Sequence, residues 1–182
     1  MIKKVTRFFT IADYLEEENW LREMHGRGWK IMKIKAPCFY TFESCEPEDV
    51  IYRLDFRNTE KPEDYLQMVS DFGWEHIGDC LGWMYFRRPA DTAASEEEGE
   101  LFSDNESRAE MVKNIVRTRM MPLVVIFLCS VLPNFFRILN GEYVGPWGAV
   151  FSVLFCLLFI LYVYLIIHCG IKLKKMKDRY KD

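Results

Sequence analysis

The chain of 182 residues lacks the short motifs that accompany the commonest catalytic and cofactor sites. It contains neither the Gly-x-Gly-x-x-Gly fingerprint of dinucleotide-binding folds nor a Walker phosphate loop. No serine stands in the Gly-x-Ser-x-Gly setting of hydrolase nucleophiles. The three histidines, His25, His76 and His168, are isolated from one another in the sequence. We therefore expect no enzyme activity, no catalytic residue and no bound cofactor.

Paired cysteine motifs are also missing. Six cysteines are present, yet none forms Cys-x-x-Cys, and no group of cysteines and histidines has the spacing of zinc ligands. Three of them, Cys129, Cys156 and Cys169, lie in apolar C-terminal segments. The pattern favours reduced thiols that pack as small hydrophobic residues, and it predicts no metal site.

The N-terminal half has no excess of basic charge. Residues 1–89 carry 13 Lys and Arg against 16 Asp and Glu, which argues against direct binding of nucleic acid. Residues 90–107 carry seven acids and no base, and residues 108–182 carry 11 bases and four acids. We predict a cytoplasmic domain over 1–89 and an acidic, flexible linker over 90–107.

Charged residues are absent from the apolar run 147–171, which exceeds the roughly 20 residues that a helix needs to span a bilayer. A second run, 120–136, contains Pro122 and Pro133, and Pro133 is expected to kink or end its helix. We predict a transmembrane hairpin over 120–171, with the spans 120–136 and 147–171. The alternative for the first run is a re-entrant or interfacial segment.

Basic residues flank both spans on one side, and the connecting loop has Arg137 as its single base. The positive-inside rule then places the protein in the cell membrane as a multi-pass protein with both termini in the cytoplasm. The N-terminus does not read as a secretory signal, because its apolar stretch is short and acids follow at once. We expect a juxtamembrane amphipathic helix over 108–119 and a basic cytoplasmic tail over 172–182, with membrane lipids as partners.

The first 89 residues contain the same pattern twice. Each copy has a β-branched and aromatic strand, an amphipathic helix that ends in Gly-Trp, and two further short strands. The Gly-Trp pairs are Gly28-Trp29 and Gly73-Trp74. The sequence therefore predicts an α+β fold in which duplicated β-α-β-β units form a mainly antiparallel sheet, with two helices on one face.

The opposite face of that sheet is the predicted binding face. Along VIYRLDFR, period-two alternation directs the charged residues away from the apolar ones, and we expect the charged set to point away from the helices. Aromatic residues of the hairpins beside these charges could form a cleft for an amphipathic ligand, although they could equally pack the core. The candidate ligand or partner face comprises Glu43, Arg53, Asp55, Arg57, Trp29, Tyr40, Trp74, Trp83 and Tyr85.

The layout resembles an uncharacterised bacterial family with a small N-terminal α/β domain, a polar linker and C-terminal transmembrane helices. The similar segments are KKVTRFF, DYLEEENWLREMHGRGW, YRLDF and EDYLQMVSDFGW. Members of that family are often encoded beside PadR-like transcription regulators. The resemblance implies this architecture and a regulatory setting, and it implies no catalytic residue.

The duplicated topology also looks like the effector-binding domains of gyrase-inhibitor-like proteins. Those domains hold cationic or aromatic compounds between their two copies and commonly place an acid there, a role that Glu43 or Asp55 could serve. Fold analogy does not fix function. We expect a membrane-anchored, non-enzymatic regulatory or sensing module that binds a small amphipathic ligand or a partner such as a transcription regulator. The alternative is an interaction subunit of a larger membrane complex, such as a transporter.

Overall fold

The computed structural model describes residues 1–57, 63–92, 105–142 and 145–179. The chain forms two compact units, and the boundary between them lies between Met111 and Val112. The first unit contains two small sheets and two helices, and the second unit is helical. The α+β class expected for the N-terminal part is confirmed.

The first sheet is antiparallel and has the strand order β1-β3-β2. Its strands are β1 (Ile2–Thr6), β2 (Trp29–Lys35) and β3 (Phe39–Ser44), and helix α1 (Tyr14–Gly26) connects β1 to β2. Apolar side chains alternate along these strands and point to one face. Helix α1 covers that face, where the Trp20 ring contacts those of Tyr40 and Phe42 at centroid distances of 4.9 and 5.6 Å.

The second sheet is also antiparallel and has the order β4-β6-β5. It comprises β4 (Val50–Phe56), β5 (Glu75–Cys80) and β6 (Trp83–Pro89), with helix α2 (Glu63–Asp71) between β4 and β5. A short 3-10 turn, Ala90–Thr92, follows β6. Helix α2 covers one face through a buried cluster of Ile51, Val69, Trp74, Met84 and Phe86.

Helix α1 packs on the other face of the second sheet as well. Its Tyr14 ring lies 5.2 Å from that of Trp83, and the β4 residues Tyr52, Leu54 and Phe56 on this face are almost fully buried. Helix α1 therefore lies between the two sheets and supplies the core of both. Because each face of β4 is covered by a helix, nearly every residue of that strand is buried.

The two sheets share several details beyond their strand order. Each helix leads into its next strand through a glycine in the left-handed region, Gly28 at φ 82° and Gly73 at φ 81°. A β-bulge follows at the same distance from the glycine in both sheets, between Ile31 and Lys33 and between His76 and Gly78. A Cβ on Gly28 would also lie 3.0 Å from the carbonyl oxygen of Cys45. Descent of the two β-α-β-β repeats from one duplicated sequence stays a prediction.

The second unit is formed by two helical segments, and the first of them begins before the boundary at Met111. The first runs without interruption through α3 (Asn105–Ile115), a π-helical turn (Val116–Met120), α4 (Met121–Ile126), a second π-helical turn (Phe127–Val131) and α5 (Leu132–Leu139). The second is α6 (Pro146–Arg179). The ranges Ser107–Leu139 and Trp147–Asp178 are long and apolar enough to cross a membrane.

Pro133 was expected to kink or end its helix, and the structure excludes the second alternative because the helix continues beyond it. Pro122 and Pro133 each follow closely on a π-helical turn. Proline lacks an N–H donor, and its ring clashes with the carbonyl four residues earlier in a regular α-helix. A π turn widens the preceding backbone and moves that carbonyl, so the helix continues to Leu139.

Several expected boundaries differ from those of the structure. The helix begins at Asn105, inside the segment expected to be linker, and residues 93–104 lie outside the described residues. The segment 108–119 is part of this long helix and is not a separate element. Helix α6 continues through most of the expected basic tail to Arg179. The two helical segments contact each other through Phe135 and Phe159, whose rings stack at 4.1 Å.

Candidate functional site

A buried carboxyl group lies between the two sheets. Glu17 of α1 is 6% exposed, and its Oε1 accepts hydrogen bonds from the hydroxyls of Tyr40 at 2.7 Å and Tyr85 at 2.8 Å. Tyr40 belongs to β3 in the first sheet and Tyr85 to β6 in the second. A single carboxylate oxygen therefore joins the helix to both sheets, and we call these three residues the carboxyl–tyrosine cluster.

The titration of the cluster is shifted by its surroundings. Burial raises the pKa of Glu17, and the hydrogen bonds from Tyr40 and Tyr85 oppose that shift without cancelling it. Burial and the neighbouring Glu17 charge together raise the pKa of both tyrosines. The hydroxyls therefore remain protonated donors, and the carboxyl is more easily protonated than an exposed glutamate.

Aromatic rings surround the cluster. On the first-sheet side, Tyr40 contacts Trp20 at 4.9 Å and Phe9 at 6.3 Å. On the second-sheet side, Trp83 contacts Phe56 at 5.2 Å as well as Tyr14. Ring faces carry negative partial charge and attract cations. The region accordingly combines a buried acid with the aromatic surface that an organic cation prefers.

A second polar group lies further along α1. The His25 Nδ1 and the Tyr52 hydroxyl are 2.7 Å apart in a buried position. Burial and then the charge of Arg87 lower the pKa of His25, and burial raises the pKa of Tyr52 to about 12. Arg87 makes a bidentate pair with Glu75 on the neighbouring strand, at 2.7 and 2.6 Å. This group holds the C-terminal end of α1 against the second sheet.

Glu18, the next residue of α1, binds the backbone of an edge strand. Its Oε1 accepts the Leu54 amide at 2.7 Å, and its Oε2 lies 3.5 Å from Arg53. Strand β4 is an edge strand of the second sheet, so this amide points away from the ladder. Glu17 thus joins α1 to both sheets through tyrosine hydroxyls, whereas Glu18 joins it to the second sheet through a backbone amide.

Residues 13–126 match a protein family described as "Protein of unknown function (DUF2812)". The chain belongs to this family. The matched range begins at the residue before α1 and extends to the end of α4, so it contains the carboxyl–tyrosine cluster and the N-terminal part of the first apolar helix. Neither the curated proteins nor the solved structures gave a match. The resemblance to a family with an α/β domain and apolar C-terminal helices is therefore confirmed, whereas a neighbouring PadR-like regulator stays a prediction.

In this DUF2812 chain, the charged side of β4 does not point away from the helices. Asp55 is 2% exposed and accepts hydrogen bonds from Tyr65 of α2 at 2.8 Å and from Arg57 at 2.5 Å. The Arg57 guanidinium stacks over the Tyr65 ring at 3.6 Å. Arg53 lies near Glu18 and donates to the Tyr52 carbonyl at 3.0 Å. The expectation of an open charged face at Asp55 was wrong, because these charges are satisfied beneath and beside the helices.

The other expected residues of the DUF2812 chain are dispersed. Glu43 pairs with Lys30 at 2.8 Å on the first sheet, and the Lys3 ammonium lies 5.0 Å above the half-buried Trp29 ring. Trp74 is buried in the α2 cluster. Of the nine expected residues, Tyr40 and Tyr85 meet at Glu17, with Trp83 among the surrounding rings. Some of the expected aromatic residues therefore lie together, and the acid among them is Glu17 and neither Glu43 nor Asp55.

Sequence reasoning missed Glu17 although a signal existed. Glu17 lies in the run Glu16-Glu17-Glu18, which reads as a solvated acidic face. Yet Tyr14, Glu17, Leu21 and Met24 follow helical spacing and share the buried stripe. An acid inside an apolar helical stripe indicates a buried carboxyl.

In the described ranges, no group of three or more His, Cys, Asp or Glu side chains could hold a metal ion.

Proposed function

We propose that the chain is a membrane-anchored, non-enzymatic regulatory module whose head, residues 1–92, binds a small cationic, amphipathic ligand at the carboxyl–tyrosine cluster. The observation that carries the proposal is the single oxygen of Glu17 shared by Tyr40 and Tyr85 from opposite sheets. A buried acid without a cationic partner is costly to ionise. An organic cation supplies the missing charge, and the surrounding rings favour its apolar part.

Ligand entry requires the head to open. Glu17, Tyr40 and Tyr85 are each at most 6% exposed, so the cluster is closed in this conformation. A ligand that binds only the open form shifts the population toward it. Because α1 contacts both sheets around Glu17, opening changes the packing of α1 against at least one of them. That change is the proposed regulatory signal, which a partner protein such as a transcription regulator would read.

The two apolar helices support the anchoring part of the proposal. Their most apolar windows are almost entirely exposed, at 6% and 0% buried, which suits contact with lipid better than the core of a soluble protein. The alternative of an interaction subunit within a transporter-like complex shares this anchor. Crosslinking of the intact chain in native membranes separates the two, because a permanent subunit gives a constant crosslinked partner with or without ligand.

The test is titration of the full-length chain in detergent with aromatic quaternary ammonium compounds, followed by tryptophan emission and thermal midpoint. Trp20 contacts Tyr40 of the cluster, and Trp83 lies two residues from Tyr85 on the same face of β6, so binding is expected to change the emission. Each cation is paired with its neutral carbon isostere, which lacks the charge that Glu17 recognises. Saturable emission changes with the cations, and much weaker ones with the isosteres, are expected.

The matched variants are Glu17→Gln and Glu23→Gln. The amide introduced by Glu17→Gln retains an oxygen for the tyrosine hydroxyls and loses the negative charge, so affinity for the cations should fall roughly tenfold or more. Glu23 lies on the same helix, is exposed and pairs with Arg27 at 3.5 Å, so its variant should bind normally. Equal cation affinity in Glu17→Gln and the parent chain would refute the site, and no response across the panel would refute the ligand class.

A further inference from the structure

We propose that the uncovered face of the first sheet docks on an anionic lipid surface. This inference rests on the membrane-anchoring part of the proposed function and is independent of its ligand site. The face is defined by the register of three strands. Residues directly opposed in an antiparallel ladder point to the same side. Those on the side opposite α1 are Ile2, Lys4, Thr6, Lys30, Lys33, Lys35, Phe39, Thr41 and Glu43, and together they are called the basic face.

The charge of the basic face is one-sided. Lys4, Lys33 and Lys35 are exposed, and the one acid of the face, Glu43, is paired with Lys30 at 2.8 Å. The head as a whole has more acids than bases, so these lysines are concentrated against its average. On helix α2, by contrast, Glu63, Asp64 and Asp71 are exposed without any basic residue between them. The head therefore has a basic surface and an acidic one.

Apolar side chains lie among the lysines. Ile2 is 67% exposed and Phe39 is 51% exposed, and they lie at opposite ends of the basic face along the strand direction. Lysines interspersed with exposed large apolar residues are typical of surfaces that rest in the headgroup region of a bilayer, because the ammonium groups meet lipid phosphates while the apolar groups enter the acyl boundary. A purely solvated sheet face has no comparable use for Ile2 and Phe39.

The second sheet provides an internal comparison. Its register places Tyr52, Leu54 and Phe56 where the first sheet has Ile2, Lys4 and Thr6. The second-sheet residues are apolar and buried under α1, whereas their first-sheet counterparts are exposed. Similarly, Lys35 occupies the position of Cys80 in the second sheet. The equivalent face is therefore apolar and covered by α1 in the second sheet, whereas in the first sheet it is exposed and combines lysines with large apolar side chains.

The membrane is the occupant that the chain itself supplies. The head and the two apolar helices belong to one polypeptide, so docking of the head on the same bilayer is intramolecular and benefits from a high effective concentration. Each lysine near an anionic surface contributes roughly a fivefold preference, so three exposed lysines give on the order of a hundredfold. A second copy of the chain is the competing occupant, since its acidic α2 surface also complements the lysines.

The experiment measures lysine reactivity in the full-length chain. The chain is reconstituted into vesicles of phosphatidylcholine or of phosphatidylcholine mixed with phosphatidylglycerol, treated with an amine-reactive reagent, and analysed residue by residue by mass spectrometry. Labelling of Lys4, Lys33 and Lys35 is expected to slow about tenfold in the anionic vesicles. Lys3 points to the other face, over the Trp29 ring, and its labelling should change less than about twofold. The protection should vanish near 1 M salt, where the Debye length falls to about 3 Å.

The variant K4Q/K33Q/K35Q is compared with Lys3→Gln as its control. The triple variant should lose the difference between the two lipid compositions, read out at Lys30, while Lys3→Gln retains it. Equal labelling in both compositions for the parent chain would overturn the docking. Protection that appears equally in phosphatidylcholine and grows with protein density would overturn it in favour of a second copy. Alkaline carbonate tests the anchoring separately, because release of the chain from the vesicles would refute the anchor of the proposed function. Docking would then also be refuted if the released chain no longer sediments with anionic vesicles at neutral pH, and would be supported if it still does.

Discussion

At the scale of single residues, Glu17 and His25 show how burial sets charge in this head. Both lie on α1, both are less than one-tenth exposed, and each contacts a tyrosine hydroxyl. Burial disfavours the charged form of either group, so it raises the pKa of the acid and lowers the pKa of the base. The buried side of α1 therefore disfavours charge on both groups, and Glu17 can bind a cation when it ionises.

The shifted pKa of Glu17 makes the stability of the head depend on pH. Because its folded pKa lies above the ordinary value of 4.5, its contribution is complete below pH 4.5 and is lost as the pH rises through the folded pKa. A glutamine at this position keeps the hydrogen-bond acceptor and cannot ionise. Relative to the parent chain, Glu17→Gln should therefore become progressively more stable as the pH rises above 4.5. The thermal midpoint of the full-length chain in detergent, followed by near-ultraviolet circular dichroism, measures this difference.

Glu23→Gln again serves as the matched variant, since Glu23 is exposed on the same helix. Its thermal midpoint should run parallel to that of the parent chain over the whole pH range. A Glu17→Gln midpoint that also runs parallel would show that Glu17 titrates normally and is not confined between the tyrosines.

At the scale of elements, α1 organises the head because it serves three strands with different chemistry. It packs on β3 through Trp20, bridges β3 and β6 through Glu17, and protects the outer edge of β4 through Glu18. An exposed strand edge is a template for pairing with other chains. The carboxylate of Glu18 accepts the Leu54 amide on this edge, so that amide is satisfied within the chain and is not available to a strand of another chain.

Removal of the Glu18 side chain should loosen that edge. In Glu18→Ala the Leu54 amide loses its acceptor in a buried position, and we expect a cost of about 1–3 kcal/mol in the free energy of unfolding. Glu18→Gln retains a neutral oxygen acceptor, so its cost should be smaller. Hydrogen exchange of the Leu54 amide, measured by mass spectrometry of the β4 peptide, should accelerate in Glu18→Ala and much less in Glu18→Gln. Unchanged exchange in Glu18→Ala would mean that water or another group replaces the carboxylate without loss.

The elements themselves were largely predictable from the sequence. Runs of β-branched and aromatic residues located the strands, helical spacing located α1 and α2, and Gly28 and Gly73 marked where those helices end. These signals are local, and the backbone responds to them locally. The two long apolar helices followed in the same way from the length of their apolar runs.

What failed in the sequence analysis depended on partners distant in the chain. The charges of β4 read as a solvated face because nothing in VIYRLDFR indicates that Tyr65 will cover Asp55 and that Arg57 will stack on the same ring. Glu17 was overlooked because its neighbours Glu16 and Glu18 hid its place in the buried stripe. Pro133 predicted either a kink or an end of the helix, and the sequence did not choose between them because the π-helical turn before it has no sequence signature of its own.

At the scale of the whole molecule, charge is distributed to suit one orientation in a membrane. Residues 108–119, which precede the first apolar run, and those at the end of the second apolar helix are rich in lysine and arginine. The connection between α5 and α6, residues 140–145, contains no base, and Arg137 in the last turn of α5 pairs its guanidinium with Glu142 at 2.8 Å. The loop and its flanks therefore contain few positive residues, and the positive-inside rule favours export of this segment.

The last prediction concerns this topology. Both termini should lie in the cytoplasm, so a reporter fused after residue 182 and active only in the cytoplasm should give signal, and one inserted after Gly141 should not. Because the rule counts positive residues near short loops, the variant N140K/E142K should weaken the preference by adding bases to the loop, whereas N140Q/E142Q should leave it unchanged. The same fusions carrying an exported reporter give the complementary readout. A parent chain whose C-terminal reporter is active only outside the cytoplasm would reverse the orientation, and with it the access of the basic face to the cytoplasmic leaflet.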